Sequence, residues 1–190
     1  MRCFVGIELD AVTRRALGTT SEALRASDAG WSGEKWVARG NLHVTVAFLG
    51  EIDALTVRDA SDAIGTRLAS TPPFDLVFAG FRAIPSSRRA TMMWAEYGDP
   101  AGAGAALARE VADACAPLGI ALEDRTFKAH VTLVRARRSR RVPAHMSAVL
   151  AARAGDAPAL LSVPSATLFS STLTKTGPVY RALETWAFKA

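Results

Sequence analysis

The pattern His-x-Thr-x occurs twice in this chain, as His43-Val44-Thr45-Val46 and as His130-Val131-Thr132-Leu133, 87 residues apart (130 − 43). Each copy lies inside a short apolar run that reads as a β-strand. Side chains alternate faces along a strand, so the His and Thr of each copy share one face while the intervening apolar residues point to the other, towards a core. Two such strands side by side gather two imidazoles and two hydroxyls around one space. Two imidazoles can divide general-base and general-acid work near neutral pH, and hydroxyls can hydrogen-bond phosphate oxygens. The repeat therefore points to cleavage of a phosphodiester without a metal.

The duplication extends beyond the motif. Helical spacing of apolar residues covers 11–29, 53–70, 101–118 and 143–153, and strand-like runs cover 2–9, 42–49, 74–84, 91–97, 130–136, 160–170 and 179–188. From residue 11 the order is helix, HxTx strand, helix, strand, strand, and from residue 101 the same series returns. A duplicated unit of this kind packs as two related lobes with equivalent elements facing across a shared cleft. The expectation is one domain over 1–190 with approximate halves 11–97 and 101–188. Local punctuation agrees: Gly50 ends the first HxTx strand, Asp53 can cap the next helix, Pro72-Pro73 closes it, and Gly119 follows the third.

Composition narrows the function classes. A hydrophobic content of 49% over 190 residues supports a sizeable core. Acids at Glu8 and Asp10 interrupt the N-terminal apolar run too early for a signal peptide, and no run is long enough to span a bilayer. Cys3 and Cys115 do not make a disulfide framework, so the expectation is a cytoplasmic protein with reduced thiols. The net charge of +5 and pI near 9.8 favour an anionic partner, and Arg135, Arg137, Arg138, Arg140 and Arg141 crowd after the second motif. The competing reading of that cluster is a solvated loop in a chain rich in Ala and Arg.

Other chemistries fit less well. A zinc site needs three or four protein ligands, and neither motif has a Cys or second His at ligand spacing, so no metal or cofactor is expected. There is no Gly-x-Ser-x-Gly and no phosphate-binding glycine loop. His145 reads as a surface helix residue, and Trp36 as a core residue.

The paired HxTx motifs, with Arg2-Cys3-Phe4-Val5-Gly6-Ile7, Asn41 through Glu51, Arg125 through Leu133, and the closing run from Phe169 through Tyr180 to Trp186, resemble the 2H phosphoesterase superfamily over nearly the whole chain. Within it they resemble the RNA 2′,3′-cyclic phosphodiesterases, also known as 2′-5′ RNA ligases. The resemblance implies an α+β fold whose two pseudo-symmetric lobes, each an antiparallel sheet with helices outside, face across a central cleft. It implies metal-independent opening of a 2′,3′-cyclic phosphate to a 2′-phosphomonoester, with His43 as proton donor and His130 as proton acceptor. The residues alone are too symmetric to make that assignment. Many relatives carry Pro before the second His, where this chain has Ala129.

Further substrate contacts are expected around the motifs. Lys128 shares the face of His130 if the strand extends back that far, and in a loop before it Phe127 can stack on a base and Arg125 can pair with phosphate. Parity sends Phe48 and Arg135 to the face opposite the histidines unless a bulge turns them. Tyr180 is a candidate base platform or a core residue. Thr45 and Thr132 are expected to hold the non-bridging phosphate oxygens. The expected partner of such a monomer is RNA ending in a 2′,3′-cyclic phosphate, with no membrane. Alternatives are a 2′-5′ ligase or 2′-5′ phosphodiesterase, a phosphodiesterase of small cyclic phosphates, and a non-catalytic RNA-end binding module; two intact titratable histidines argue against the last.

Overall fold

The computed structural model describes residues 1–122, 126–175 and 177–189. Strand β1 (Arg2–Glu8) is buried along its whole interior, the pattern of a central strand. Helix α1 (Ala11–Ser27) starts where the Asp10 carboxylate accepts from the Val12 and Thr13 amides. One helical turn, α2 (Ala29–Ser32), and a short strand, β2 (Lys35–Trp36), lead into the first motif strand, β3 (His43–Glu51). Asp53 caps α3 (Ala54–Leu68) by accepting from the Thr56 amide at 2.8 Å.

Two long strands come next, β4 (Phe74–Ile84) and β5 (Ala90–Gly98), then α4 (Ala103–Cys115), whose first amides donate to the Asp99 carboxylate. The second motif strand is β6 (His130–Arg140), succeeded by α5 (Ala144–Arg153). The chain ends in β7 (Leu160–Val163), β8 (Ser165–Thr174) and β9 (Gly177–Ala187). The stretch 160–170, expected as one strand, is two, because Pro164 has no amide to continue a ladder and breaks it.

The strands form a sheet of order β7-β4-β5-β6-β3-β1-β8-β9, with β2 also on β6, and all pairings are antiparallel. Although β7 and β8 are joined through Pro164 alone, they stand near opposite ends of this order. The sheet is therefore curled until its two ends meet. There Phe74 and Phe188 stack with ring centres 6.1 Å apart, and the Phe188 amide donates to the Pro164 carbonyl at 2.8 Å.

At the middle of the sheet the two motif strands lie side by side and pair at Val44 and Val131. Both valines are fully buried in a core shared with Leu17, Ile64 and Leu107, so the histidines and threonines are left on the other face. Helices α1 and α5 pack on each other with α1 against β6, and α3 and α4 pack on each other against β9 and β3. This is an α+β fold of two similar antiparallel halves with helices outside.

The repeat frame differs from the expected one by a strand. Outward from β6 come β5, β4 and β7, and outward from β3 come β1, β8 and β9. The equivalent of β5 is thus β1, and the unit runs β1-α1-β3-α3-β4 and then β5-α4-β6-α5-β8. The last long strand of each unit crosses over: β4 pairs with β5, and β8 with β1. Each four-strand group consequently draws on both 11–97 and 101–188.

Candidate active site

His43 and His130 each open their strand, and each donates from Nδ1 to the carbonyl two residues back, Asn41 and Lys128 respectively, at 2.7 Å. A carbonyl only accepts, so Nδ1 carries the hydrogen in both rings and Nε2 is left for chemistry. Thr45 Oγ1 lies 3.0 Å from His43 Nε2, as the face-sharing argument expects. The Asn41 side chain donates in turn to the Pro178 carbonyl at 2.7 Å, anchoring the loop before β3 to the β8–β9 hairpin.

The surroundings of the two rings differ. Trp94 pairs with Thr132 across β5 and β6, and its indole stacks on His130 with ring centres 3.8 Å apart and planes 21° from parallel. Its counterpart on β1 is Gly6, which pairs with Thr45. A Cβ on Gly6 would sit 3.4 Å from His43 Cδ2 and 3.2 Å from Phe4 Cε2, so the space Trp94 fills on one side is taken by the imidazole and Phe4 on the other. His43 packs on Phe4, ring centres 4.8 Å apart, and Tyr180 meets it edge-on at 5.3 Å.

Burial pushes both imidazoles below their ordinary pKa. The backbone carbonyls of Asn41 and Lys128 oppose this, and the charge of Arg135 adds to it in both rings. His130 further depresses His43, whereas Glu96 raises His130. Burial pushes the Tyr180 phenol up, partly offset by Arg135. Arg135 thus lies within electrostatic reach of His43, His130 and Tyr180 together.

The expectation that Phe48 and Arg135 face away from the histidines is corrected by two bulges. On β3, Thr45 pairs with Gly6 and Ala47 with Val5, so Val46 is skipped; Phe48 then pairs with Phe4, on the histidine face. On β6, Thr132 pairs with Trp94 and Val134 with Met93, so Leu133 is skipped; Arg135 then pairs with Met92, again on the histidine face. Each bulge inverts the parity of the residues beyond it.

A cleft of about 1110 Å³ opens on this face, lined by His130, Thr45, Trp94, Phe48, Arg135, Met92, Lys128 and Phe127 together with Ala105, Ala108, Arg109 and Ala112 of α4. His43 and Thr132 adjoin it on the same strands. Lys128 lies before the start of β6 rather than on it, yet its exposed side chain lines the cleft. Phe127 is half-buried over Gly104, where a Cβ would come within 2.6 Å of its ring. Arg125 lies outside the described residues.

The arginine run divides. Arg135 faces the cleft, while Arg137 donates to the Gly33 carbonyl and Arg140 to the Glu34 carboxylate and the Gly30 carbonyl, tying β6 to the segment around α2. Trp36 donates to the Trp31 carbonyl and packs on the core, and His145 contacts Asp28 at the surface. Among the described residues no three His, Cys, Asp or Glu side chains converge as a metal-ligand set, and no helix is long and apolar enough to cross a membrane.

Trp94, Phe4, Met92 and Glu96 are not legible as site residues in the sequence. Their alternation on β1 and β5 is visible there, but which neighbours they acquire depends on long-range pairing.

The sequence profile of the 2′-5′ RNA ligase superfamily matches residues 15–173. An RNA 2′,3′-cyclic phosphodiesterase of Aeropyrum pernix is 32% identical over 151 residues, 78% of this chain and 83% of that protein. Its counterpart in Aquifex aeolicus is 27% identical over 97% of this chain and 95% of its own length. Among solved structures, TT0787 of Thermus thermophilus superposes with a TM-score of 0.76 at 27% identity, covering 99% of this chain and 98% of its own. LigT of E. coli bound to 3′-AMP superposes with a TM-score of 0.75 at 25% identity, covering 100% and 98%. With its two HxTx strands paired at the centre of the matched region, this chain belongs to the 2′-5′ RNA ligase superfamily.

Proposed function

We propose that the chain is an RNA 2′,3′-cyclic phosphodiesterase that leaves a 2′-phosphomonoester and needs no metal. The observation that carries this is the pair of imidazoles on one face of adjacent strands, each with Nδ1 donating to a carbonyl, which leaves Nε2 as the nitrogen that exchanges protons. The relatives named RNA 2′,3′-cyclic phosphodiesterase and the LigT complex with 3′-AMP support the same substrate class.

In this reading His130 Nε2 takes a proton from water as the water oxygen bonds to phosphorus. The bond from phosphorus to the 3′ oxygen breaks, and protonated His43 Nε2 supplies the proton that makes the 3′ hydroxyl. Thr45 and Thr132 hydrogen-bond the non-bridging oxygens, and Arg135 balances the charge that builds on them. Lys128 approaches the phosphate backbone, and Phe48, Phe127 and Tyr180 offer flat surfaces to the bases. Binding alone does not require two imidazoles on a common face, which places catalysis ahead of an RNA-end binding role.

The test is turnover of an oligoribonucleotide ending in a 2′,3′-cyclic phosphate, after exhaustive chelation, with the product phosphate located by phosphorus NMR. A 2′-monoester formed at an unchanged rate is expected. A 3′-monoester, or activity restored only by added metal, contradicts the reading.

A further inference from the structure

A second group of cations lies at the far end of β6 from His130. The Val142 amide donates to the Ser87 carbonyl at 2.7 Å and Ala90 pairs with Arg140, so these two links bracket Arg141 on one side and Arg88 and Arg89 of the β4–β5 turn on the other. Arg138 comes just before them, in a stretch where β6 advances from Arg135 to Arg140 while β5 advances only from Met92 to Ala90. All four arginines are exposed, and among the described residues none has an ion-pair partner. Like charges facing one another across a ladder repel. Glu34 and Glu96, which lie along the same strands, are already held, Glu34 by Arg140 and Glu96 by Arg82.

Between the cleft and this tip the unpaired charges keep one sign. Arg135 lines the cleft, the exposed Lys35 pairs with it from β2, and Arg138 leads on to Arg141, Arg88 and Arg89. From Glu96, opposite His130, to Ala90, opposite Arg140, β5 covers about 20 Å at its rise of about 3.4 Å per residue. A stacked nucleic-acid strand carries one phosphate per about 3.4 Å. About six nucleotides therefore reach from the catalytic histidine to the tip.

Resting on the reading of the protein as an RNA 2′,3′-cyclic phosphodiesterase, we propose that Arg88, Arg89, Arg138 and Arg141 form a docking surface for the backbone of a single-stranded RNA whose cyclic 3′ end lies in the cleft. The phosphates held there are about six nucleotides to the 5′ side of the reacting one. A guanidinium fork matches a phosphate with two parallel hydrogen bonds, and four forks without carboxylates meet a polyanion at no cost in broken ion pairs. These arginines touch no reacting atom. They raise the affinity for long substrates over a cyclic mononucleotide, and phosphate contacts of this kind weaken as salt rises.

The experiment compares the wild type with the triple variant Arg88→Gln/Arg89→Gln/Arg141→Gln on RNAs of about 3 and about 12 nucleotides that end in a 2′,3′-cyclic phosphate. The expected result is a kcat/KM roughly 10-fold lower on the longer RNA at low salt, with turnover of the shorter one unchanged. The slope of log Kd against log salt for the longer RNA, read by fluorescence anisotropy, should flatten by about 2, each lost contact contributing about 0.7. Lys at the same three positions keeps the charge and should retain most of the affinity. Equal losses on both lengths, or no loss on either, overturn the proposal. So does wild-type binding to phosphatidylglycerol vesicles that the triple variant loses while its turnover of the longer RNA stays intact, which would give the surface to a membrane. Anisotropy needs no turnover, so a wild type that binds the longer RNA through this tip yet opens no cyclic phosphate counts against the functional reading alone.

Discussion

Val46 and Leu133 stand at the same place in two different strands, three residues after a histidine, and each is skipped when its strand pairs with the next. The two slips turn Phe48 and Arg135, each five residues after its histidine, onto the cleft face. One repeat thereby contributes an aromatic ring and the other a guanidinium at equivalent positions. This is where the duplicated units become complementary rather than identical.

Arg135 should act on both the substrate and the histidines. Replacing it with Met removes a charge-assisted contact worth about 1.5–3 kcal/mol, which lowers kcat/KM for a cyclic-phosphate substrate roughly 10- to 100-fold. It also lifts the NMR titration midpoints of His43 and His130, because the Arg135 charge depresses both. An unchanged kcat/KM with unchanged midpoints would remove Arg135 from the site.

Both imidazoles are held below their ordinary pKa in the folded protein, so each binds its proton more weakly folded than unfolded. Their contribution to stability is fully present above the unfolded value of about 6.5 and is lost as pH falls through the folded values. Denaturant melts should show stability dropping over this acid window, and His43→Gln should lessen the drop. Inorganic phosphate bound between the rings should move both NMR midpoints up. Midpoints above 6.5 in the free protein would contradict the burial argument.

Gly6→Ala tests the asymmetry between the repeats. The added methyl would lie 3.2 Å from the Val44 carbonyl oxygen and from Phe4, and 3.4 Å from His43, so Phe4 and the Val44 carbonyl have to give by a few tenths of an ångström, and Phe4 is the ring on which His43 packs. The expected outcome is a loss of turnover of about 10-fold with about 1 kcal/mol or less of lost stability in urea melts. Turnover at the wild-type level would show that the His43 ring tolerates displacement.

Trp94→Leu removes the stacked partner of His130, an interaction of about 0.5–1.5 kcal/mol beyond burial. Indole fluorescence of the wild type should carry a pH step at the His130 midpoint, and that step should vanish in the variant while the fold persists by circular dichroism. Persistence of the step would place its source at another tryptophan.

Much of this architecture can be read along the chain. Apolar periodicity locates α1, α3, α4 and α5 within a few residues, and β3, β4 and β5 nearly end to end, while β6 runs on to Arg140, past the expected end at 136. Periodicity is a local property, and those elements are amphipathic or continuously buried. The exchange of β4 and β8 between repeats is not legible, because a strand's partner is a long-range fact and a single proline separates β7 from β8. Val46 and Leu133 are ordinary strand residues, so nothing in their chemistry announces a bulge. The arginine cluster mixes two roles for a similar reason: Arg137 and Arg140 find acceptors at Gly33, Gly30 and Glu34, remote in the chain.

The most direct test of the two-histidine account compares kcat for His43→Ala, His130→Ala and the double variant on RNA ending in a 2′,3′-cyclic phosphate. Because the two imidazoles act as one proton-transfer unit, each single variant should lose about 10²- to 10⁴-fold and the double variant little more than the worse single. Near wild-type turnover in either single variant, or losses that multiply in the double, would contradict it.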